Sequence, residues 1–212
     1  MAGRPDLHGD GDRLMMTTLE LLEPLARRRG DQVVVTTMSV TRPWGRLSDH
    51  DLDFASADSA MGHAADLALG IALARPERRV VCLNGDGSML MTLGTLATVA
   101  GSGAENFILV VVDNAGYEIT GGQPVAGVSV DYAAMAKGAG IPRTLTVTSA
   151  REWDEALDHV LGSSGPTLIH ARVALGDEGP ISRSAREEAR YLRTSLAEWS
   201  ASLRECLTRG AG

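Results

Sequence analysis

Asp86 and Asn114 are the side chains in this sequence best suited to hold a hard cation. Asp86 sits in Asn84-Gly85-Asp86-Gly87-Ser88, and Asn114 follows 28 positions later in Asp113-Asn114-Ala115-Gly116-Tyr117. One carboxylate oxygen, one amide oxygen and the backbone carbonyl of Gly116 are hard ligands. With phosphate oxygens and a water they complete an octahedron of the kind Mg²⁺ demands. Gly85 and Gly87 let the backbone approach a ligand closely, Ser88 has the chemistry of a helix N-cap, and the free N–H groups of a starting helix attract an anion. The stretch reads as a cradle for phosphate and metal. A second Gly-Asp-Gly at residues 9–11 follows no strand and opens no helix, so it is read as part of a polar tail.

The elements that must position these residues are legible on either side of them. Val80 to Leu83 is a short apolar run that breaks at the glycine turn, and apolar residues then recur at helical spacing at Met89, Leu90, Leu93, Leu96, Ala97 and Ala100. Phe107 to Val112 is a second buried strand that ends at the Asp113-Asn114 loop. Parallel neighbours would bring Asp86 and Asn114 to the same rim, at the carboxyl ends of the strands.

The rest of the chain repeats the pattern. An amphipathic helix over Leu14 to Leu25 ends at three arginines and Gly30, and Val33 to Val35 is a strand running into Thr36-Thr37-Met38-Ser39. The hydroxyls of Thr37 and Ser39 either cap or contact phosphate, and the sequence leaves both readings open. Residues 41–53 have no period and are read as a loop with one helical turn. A nearly all-apolar helix opens near Ser59-Ala60-Met61-Gly62-His63 and continues to Ala74, which predicts burial on most sides. Further on come a short helix over residues 131–138, a strand over 144–147, a helix over 149–161 capped by Ser149, and a last strand over 167–171. The βα alternation predicts an α/β fold with a parallel sheet of about six strands covered by helices on both faces. Residues 1–12 are read as a disordered tail, 13–175 as the domain, and 176–212 as a linker with a docking helix over 185–207. Tyr191 and Trp199 of that helix could equally face another subunit.

Composition narrows the classes. The chain has 212 residues, 44% of them hydrophobic, with 24 glycines and a formal charge of −7. That suits one globular α/β domain, and the lack of a basic stripe argues against nucleic acid. Two cysteines make no disulfide framework. The first residues lack an apolar core and the longest apolar run is too short to span a bilayer, so no membrane partner and a cytoplasmic address are expected.

GDGS, about twenty-five residues, then DNAGY resembles the cofactor motif of thiamine diphosphate enzymes, although many members carry Asn where Asp113 stands. The resemblance covers residues 14–175 and implies the diphosphate-binding (PP-type) domain of that fold. It implies thiamine diphosphate and Mg²⁺ as cofactors, held through Gly85, Asp86, Gly87, Ser88, Asn114, Gly116 and Tyr117, with Asp86, Asn114 and Gly116 on the metal. It also casts Met61 as the apolar wedge under the thiazolium and the Ser59 carbonyl as acceptor for the cofactor's amino group, with Thr37 and Ser39 as further contacts. MGHA followed by LALGIALA is similar to phosphonopyruvate decarboxylase and to the β subunit of sulfopyruvate decarboxylase. That likeness implies a catalytic role for His63, and Thr120 and Gln123 of the following ITGGQ segment are expected to face substrate.

The resemblance implies decarboxylation of a small 2-oxo acid, possible second anionic group included. Where those enzymes often read TTGKT this chain has Thr36-Thr37-Met38-Ser39-Val40, so the charge for such a group is expected from Arg42 or Arg46. The pyrimidine-binding half, whose glutamate activates the cofactor, is absent from these 212 residues. The expected organisation is therefore one subunit of a split enzyme, paired with a pyrimidine-binding (PYR-type) subunit in an α₂β₂ or larger assembly. Three alternatives stand beside it: a carboligase resembling acetolactate synthase, the β subunit of a 2-oxo acid oxidoreductase, and a non-enzymatic flavodoxin-like module that binds a phosphate ligand. The oxidoreductase reading is weakened by the cysteines, since Cys82 and Cys206 cannot build a four-thiolate cluster.

Overall fold

The computed structural model describes residues 15–55, 61–125 and 130–209. Ser59 and the tail over 1–12 lie outside the described residues. The chain begins with α1 (Thr18–Arg27), β1 (Val33–Thr36), α2 (Thr41–Leu47), β2 (Asp53–Ala55) and α3 (Ala64–Ala74). The central part runs through β3 (Val80–Gly85), α4 (Asp86–Met91), α5 (Thr95–Gly101), β4 (Phe107–Asp113), β5 (Gly116–Tyr117) and β6 (Gln123–Pro124). It closes with α6 (Tyr132–Ala139), β7 (Arg143–Val147), α7 (Ala150–Gly162), β8 (Thr167–Arg172) and α8 (Leu196–Thr208).

Six strands form one sheet in the order β2-β1-β3-β4-β8-β7, every pairing parallel. Val33–Val35, Val80–Leu83 and Phe107–Val112 are buried on both sides of the pleat, as their unbroken apolar runs require. Helices α1, α2 and α7 pack together, and α3, α5 and α6 form a second group. The predicted α/β fold with a covered parallel sheet is thus the observed one. From β1 the chain goes outward to β2 and then back across to β3, so the strand order reverses beside β1. The crevice outside the carboxyl ends of β1, β3 and β4 is where open α/β sheets place ligands.

Capping explains most of the helix boundaries. Thr17 and Glu20 form a reciprocal box at the start of α1, Asp131 caps α6, Ser149 caps α7, and Ser195 with Glu198 boxes α8. Gly140 ends α6 in the left-handed region.

Four expectations need correction. The aperiodic stretch before Asp53 contains a full helix, α2, and runs into an edge strand, β2. The helix after Met61 starts only at Ala64, and Leu67, Gly70 and Leu73 remain exposed, so it is buried on fewer sides than its composition implies. The C-terminal helix starts at Leu196 rather than near 185, because residues 176–195 form a strap, with one short 3-10 turn at Arg190–Leu192, that bonds to α2. Tyr191 and Trp199 are buried inside the chain. The Trp199 indole donates to the Asp53 carbonyl at 2.6 Å, and the Tyr191 hydroxyl donates to the Thr41 carbonyl. Among the described residues no helix is long and apolar enough to cross a membrane.

Candidate functional site

Asp86 is the first residue of α4, immediately beyond β3, and its side chain is buried at 4% exposure. One carboxylate oxygen accepts the Gly87 N–H at 2.7 Å, while the other is buried without a hydrogen-bond partner. The Tyr132 hydroxyl donates to the Asp86 carbonyl at 3.1 Å and fixes the backbone from the far side. Burial pushes the Asp86 carboxyl up to about 7; the Gly87 N–H opposes that rise and the neighbouring Asp113 carboxylate adds to it. A buried carboxylate oxygen without a donor, next to a second carboxylate, has the chemistry to accept a cation.

Asn114 follows β4 and is also buried. Its Oδ1 accepts the Gly116 N–H at 3.1 Å, and its Nδ2 donates to Glu118 Oε2 at 2.8 Å. The loop is held from behind by Asp113. One Asp113 oxygen accepts the N–H of Ala115, whose φ is 57°, at 3.2 Å, and the other lies 2.8 Å from Nε2 of the buried His170 on β8. Burial would raise the Asp113 carboxyl, but the His170 hydrogen bond holds it below the ordinary carboxylate range. Gly116 and Tyr117 then pair with Gln123 and Pro124, so the ITGGQ segment is the end of a small hairpin, with Gly121 and Gly122 at φ 115° and 71°.

Between these turns lies a cleft of about 390 Å³, lined from β1 by Met38 and Ser39, from the β3 turn by Gly85 to Ser88, and from the β4 loop by Gly116 to Thr120. Met61, Met91 and Ile181 complete its apolar wall. The Met61 segment is anchored by both backbone groups of Gly62. Its N–H donates to Ser88 Oγ at 2.9 Å, and its carbonyl accepts from the Thr92 hydroxyl. Ser88 therefore does not cap α4, whose N-cap is Gly85; it ties the third turn of the site to the first. Gly62 has φ 89°, which only glycine adopts without strain.

The structure brings together Ser39, Met61, Gly85, Asp86, Gly87, Ser88, Gly116, Tyr117 and Thr120 as cleft residues, with Asn114 directly behind Gly116. Thr37 is fully buried, makes no side-chain cap bond and is not among the residues lining the cleft. Gln123 lies outside the wall and bonds back to Thr120, Nε2 to the Thr120 carbonyl at 2.9 Å. His63 is exposed and sits 2.9 Å from Asp66, outside the cleft wall. Arg42 is locked to Glu187 at 2.6 and 2.9 Å and Arg46 pairs with Glu178, so neither is available to an anion in the cleft. The sequence reading missed Glu118 and Ile181. Glu118 carried one signal, a carboxylate four residues past Asn114. Ile181 carried none, because only the path of the strap delivers it.

Gly87 is a close-approach glycine: a Cβ there would overlap the Tyr117 ring. Gly87→Ala is expected to displace Tyr117 from the cleft and weaken ligand binding by about tenfold or more, at the roughly 1–3 kcal/mol that overpacking costs. Titration with thiamine diphosphate and the tyrosine fluorescence of the free variant would check it.

A parallel sheet with glycine turns, a buried orphaned carboxylate and an amide at adjacent strand ends is an α/β domain with a cleft at its carboxyl rim. Residues 50–171 match the family described as thiamine pyrophosphate enzyme, C-terminal TPP binding domain, and the chain belongs to that family. It is 38% identical to phosphonopyruvate decarboxylase of Streptomyces hygroscopicus over 84% of this chain and 45% of that one. It is 32% identical to the sulfopyruvate decarboxylase subunit beta of Methanothermobacter thermautotrophicus, over 77% of this chain and 85% of that one. The chain thus spans less than half the length of the phosphonopyruvate decarboxylases it matches, but most of the β subunit. Among solved structures, benzoylformate decarboxylase from Polynucleobacter necessarius superposes with a TM-score of 0.66 at 22% identity, over 83% of this chain and 36% of that one, a likeness of fold.

Proposed function

We propose that this chain is the diphosphate- and Mg²⁺-binding part of a thiamine diphosphate-dependent decarboxylase acting on a small 2-oxo acid. The observation that carries the reading is the buried, unpartnered oxygen of Asp86 in a cleft it shares with Gly116, whose N–H is held by Asn114. The donor set fits the group: one carboxylate oxygen, one amide oxygen and a carbonyl suit Mg²⁺, and Gly87 leaves the backbone bare where a diphosphate would approach. When bound, thiamine diphosphate supplies the electron sink for losing carbon dioxide. The chain's own residues bind and orient it: Asp86 and Asn114 through the cation, Ser88 by holding Gly62 and with it Met61, and the methionine and isoleucine wall by excluding water. Thr120, on the hairpin, lines the cleft and is the side chain there proposed to face substrate. Residues 13–175 form the cofactor-binding unit in this reading, with the strap and α8 docked onto it.

Among the described residues no acid of this cleft is free to activate the cofactor. Asp86 is committed to the cation, and the second acid at the wall, Glu118, is engaged by Asn114 and by the Glu178 N–H at 2.8 Å. We therefore propose a pyrimidine-binding partner that contributes a glutamate, in an α₂β₂ or larger assembly, a reading supported by the likeness to a β subunit. Phosphonopyruvate and sulfopyruvate are the substrates to try first, by similarity to the relatives. With Arg42 and Arg46 paired, the cation for a second anionic group would come from the partner.

The test mixes this chain with candidate pyrimidine-binding subunits and measures carbon dioxide released from pyruvate, phosphonopyruvate and sulfopyruvate. Cofactor-dependent release only in the mixture is expected. Turnover by the single chain at roughly 1 to 10³ per second would overturn the partner reading, and Mg²⁺-independent binding of thiamine diphosphate would overturn the cation site.

A further inference from the structure

Glu118 joins Asn114 to the strap. Its Oε2 accepts Asn114 Nδ2 at 2.8 Å, and its Oε1 accepts the backbone N–H of Glu178 at 2.8 Å. Both carboxylate oxygens are therefore used, one on the Asn114 side chain four residues before Glu118 and one on the strap 60 residues after it.

The first bond decides which way the Asn114 amide faces. An amide has a donor end and an acceptor end, and a carboxylate is an acceptor only. With the NH₂ group claimed by Glu118, Oδ1 is the end left toward the Gly116 N–H and, with its second lone pair, toward a cation. The reversed amide would set two acceptors against each other at Glu118 and offer a cation an NH₂ group. The second bond seats the strap. Arg46 pairs with Glu178, and Arg42 donates to the Gly179 carbonyl at 3.0 Å and the Pro180 carbonyl at 2.8 Å, so the segment that Glu118 grips is fixed from the α2 side as well. Three residues past Glu178, Ile181 forms part of the cleft wall. The close approach is built in at Gly176, where a Cβ would stand 2.5 Å from Glu118 Oε1.

We propose that Glu118 is a positioning residue. It orients the Asn114 amide oxygen for the cation, and it couples that state to the seating of residues 176–181 over the cleft. The proposal rests on the cation site put forward above. By linkage, whatever orders Asn114 orders the strap, and loosening the strap costs cation affinity by the same factor. Metal-site partners of this outer kind are worth about 10- to 100-fold in metal affinity.

The experiment uses two variants and two readouts. Glu118→Gln keeps size and shape but replaces one acceptor oxygen with an NH₂ group, so only one of the two bonds survives. Gly176→Ala leaves the carboxylate chemistry intact and displaces it. Calorimetric titration of thiamine diphosphate at stepped Mg²⁺ concentrations should show the Mg²⁺ requirement raised about tenfold in both variants, with thermal unfolding unchanged enough to confirm folding. Amide hydrogen exchange without any ligand should show residues 176–181 opening faster in both variants. With wild type, saturating Mg²⁺ and thiamine diphosphate should slow exchange over the same residues, and this slowing should be lost in Glu118→Gln. An unchanged Mg²⁺ requirement, or strap exchange that ignores both the variants and the ligand, overturns the proposal. Wild type failing to bind thiamine diphosphate strikes the cofactor reading instead; the ligand-free exchange of the strap then decides whether Glu118 anchors it.

Discussion

Asp86→Ala is expected to remove Mg²⁺-dependent binding of thiamine diphosphate, weakening it by more than about a hundredfold, since outer partners of a metal site already account for roughly 10- to 100-fold. The fold should survive. Ala loses one hydrogen bond to the Gly87 N–H, about 1 kcal/mol, and at the same time removes a buried carboxylate that has no counter-charge in the free protein. The thermal midpoint without ligand should therefore move by no more than a few degrees. Undiminished affinity would remove the central claim about the site. The same carboxyl gives the binding a pH signature. Burial raises Asp86 in the free protein to about 7 from an unfolded value near 3.8, so protons compete with the cation and Mg²⁺ affinity should fall as pH drops below about 7. The sign for stability is opposite. A carboxyl raised by folding favours the folded state while protonated, so the ligand-free protein loses stability as pH climbs from about 4 through about 7. Asp86→Asn should flatten that slope in pH-stepped denaturation, and saturating Mg²⁺ with cofactor should flatten it in wild type.

The site was readable because its pieces obey local rules. Val80–Leu83 and Phe107–Val112 are unbroken apolar runs, each ends in glycine-containing text, and a parallel pairing with Gly85 opposite Val112 puts both turns on one rim. Ser149 and Asp131 announce their helices by capping chemistry that needs no tertiary partner. What failed depended on distant contacts. Ser88 has the right side chain for a cap, but the helix already begins at Asp86, and the hydroxyl is taken by the N–H of Gly62, 26 residues away. The turn at Gly62 places His63 beside Asp66 and outside the cleft wall of this chain, a position its sequence neighbours alone do not give. The start of α8 was legible after all: Ser195 and Glu198 spell a capping box, and the charged stretch before them masked it. Arg42 and Arg46 looked free because their partners, Glu187 and Glu178, lie about 140 residues on and across a segment with no periodicity.

The edge strand β2 is the clearest case of structure written by side chains rather than by pattern, and it carries the second large prediction. Asp53 is fully buried at its start. Trp44 Nε1 donates to one oxygen at 2.9 Å and Arg29 Nη1 lies 2.9 Å from the same oxygen, while the Ser48 hydroxyl and the His50 N–H reach the other at 2.6 and 3.2 Å. One carboxylate thus ties α2 and the segment after α1 to β2, and its own backbone carbonyl takes the Trp199 indole of α8. The Arg29 guanidinium stacks 5.8 Å from the Trp44 ring, and burial lowers its pKa while Asp53 opposes that shift. Removing the carboxylate leaves this buried cation without its ion-pair partner, together with three orphaned donors, the Trp44 indole, the Ser48 hydroxyl and the His50 N–H. Asp53→Ala is expected to cost about 3–5 kcal/mol, the penalty for breaking a buried pair on one side, or roughly 6–20 °C for a domain of this size. Arg29→Met in the same chain should recover part of the loss, because the stranded charge rather than the missing contact dominates it. Urea denaturation of both variants is the measurement. A loss under about 1 kcal/mol, the level of an exposed ion pair, would mean that Asp53 does not hold β2 in place, and failure of Arg29→Met to restore any stability would assign the cost to the hydrogen bonds from Trp44 and Ser48 instead.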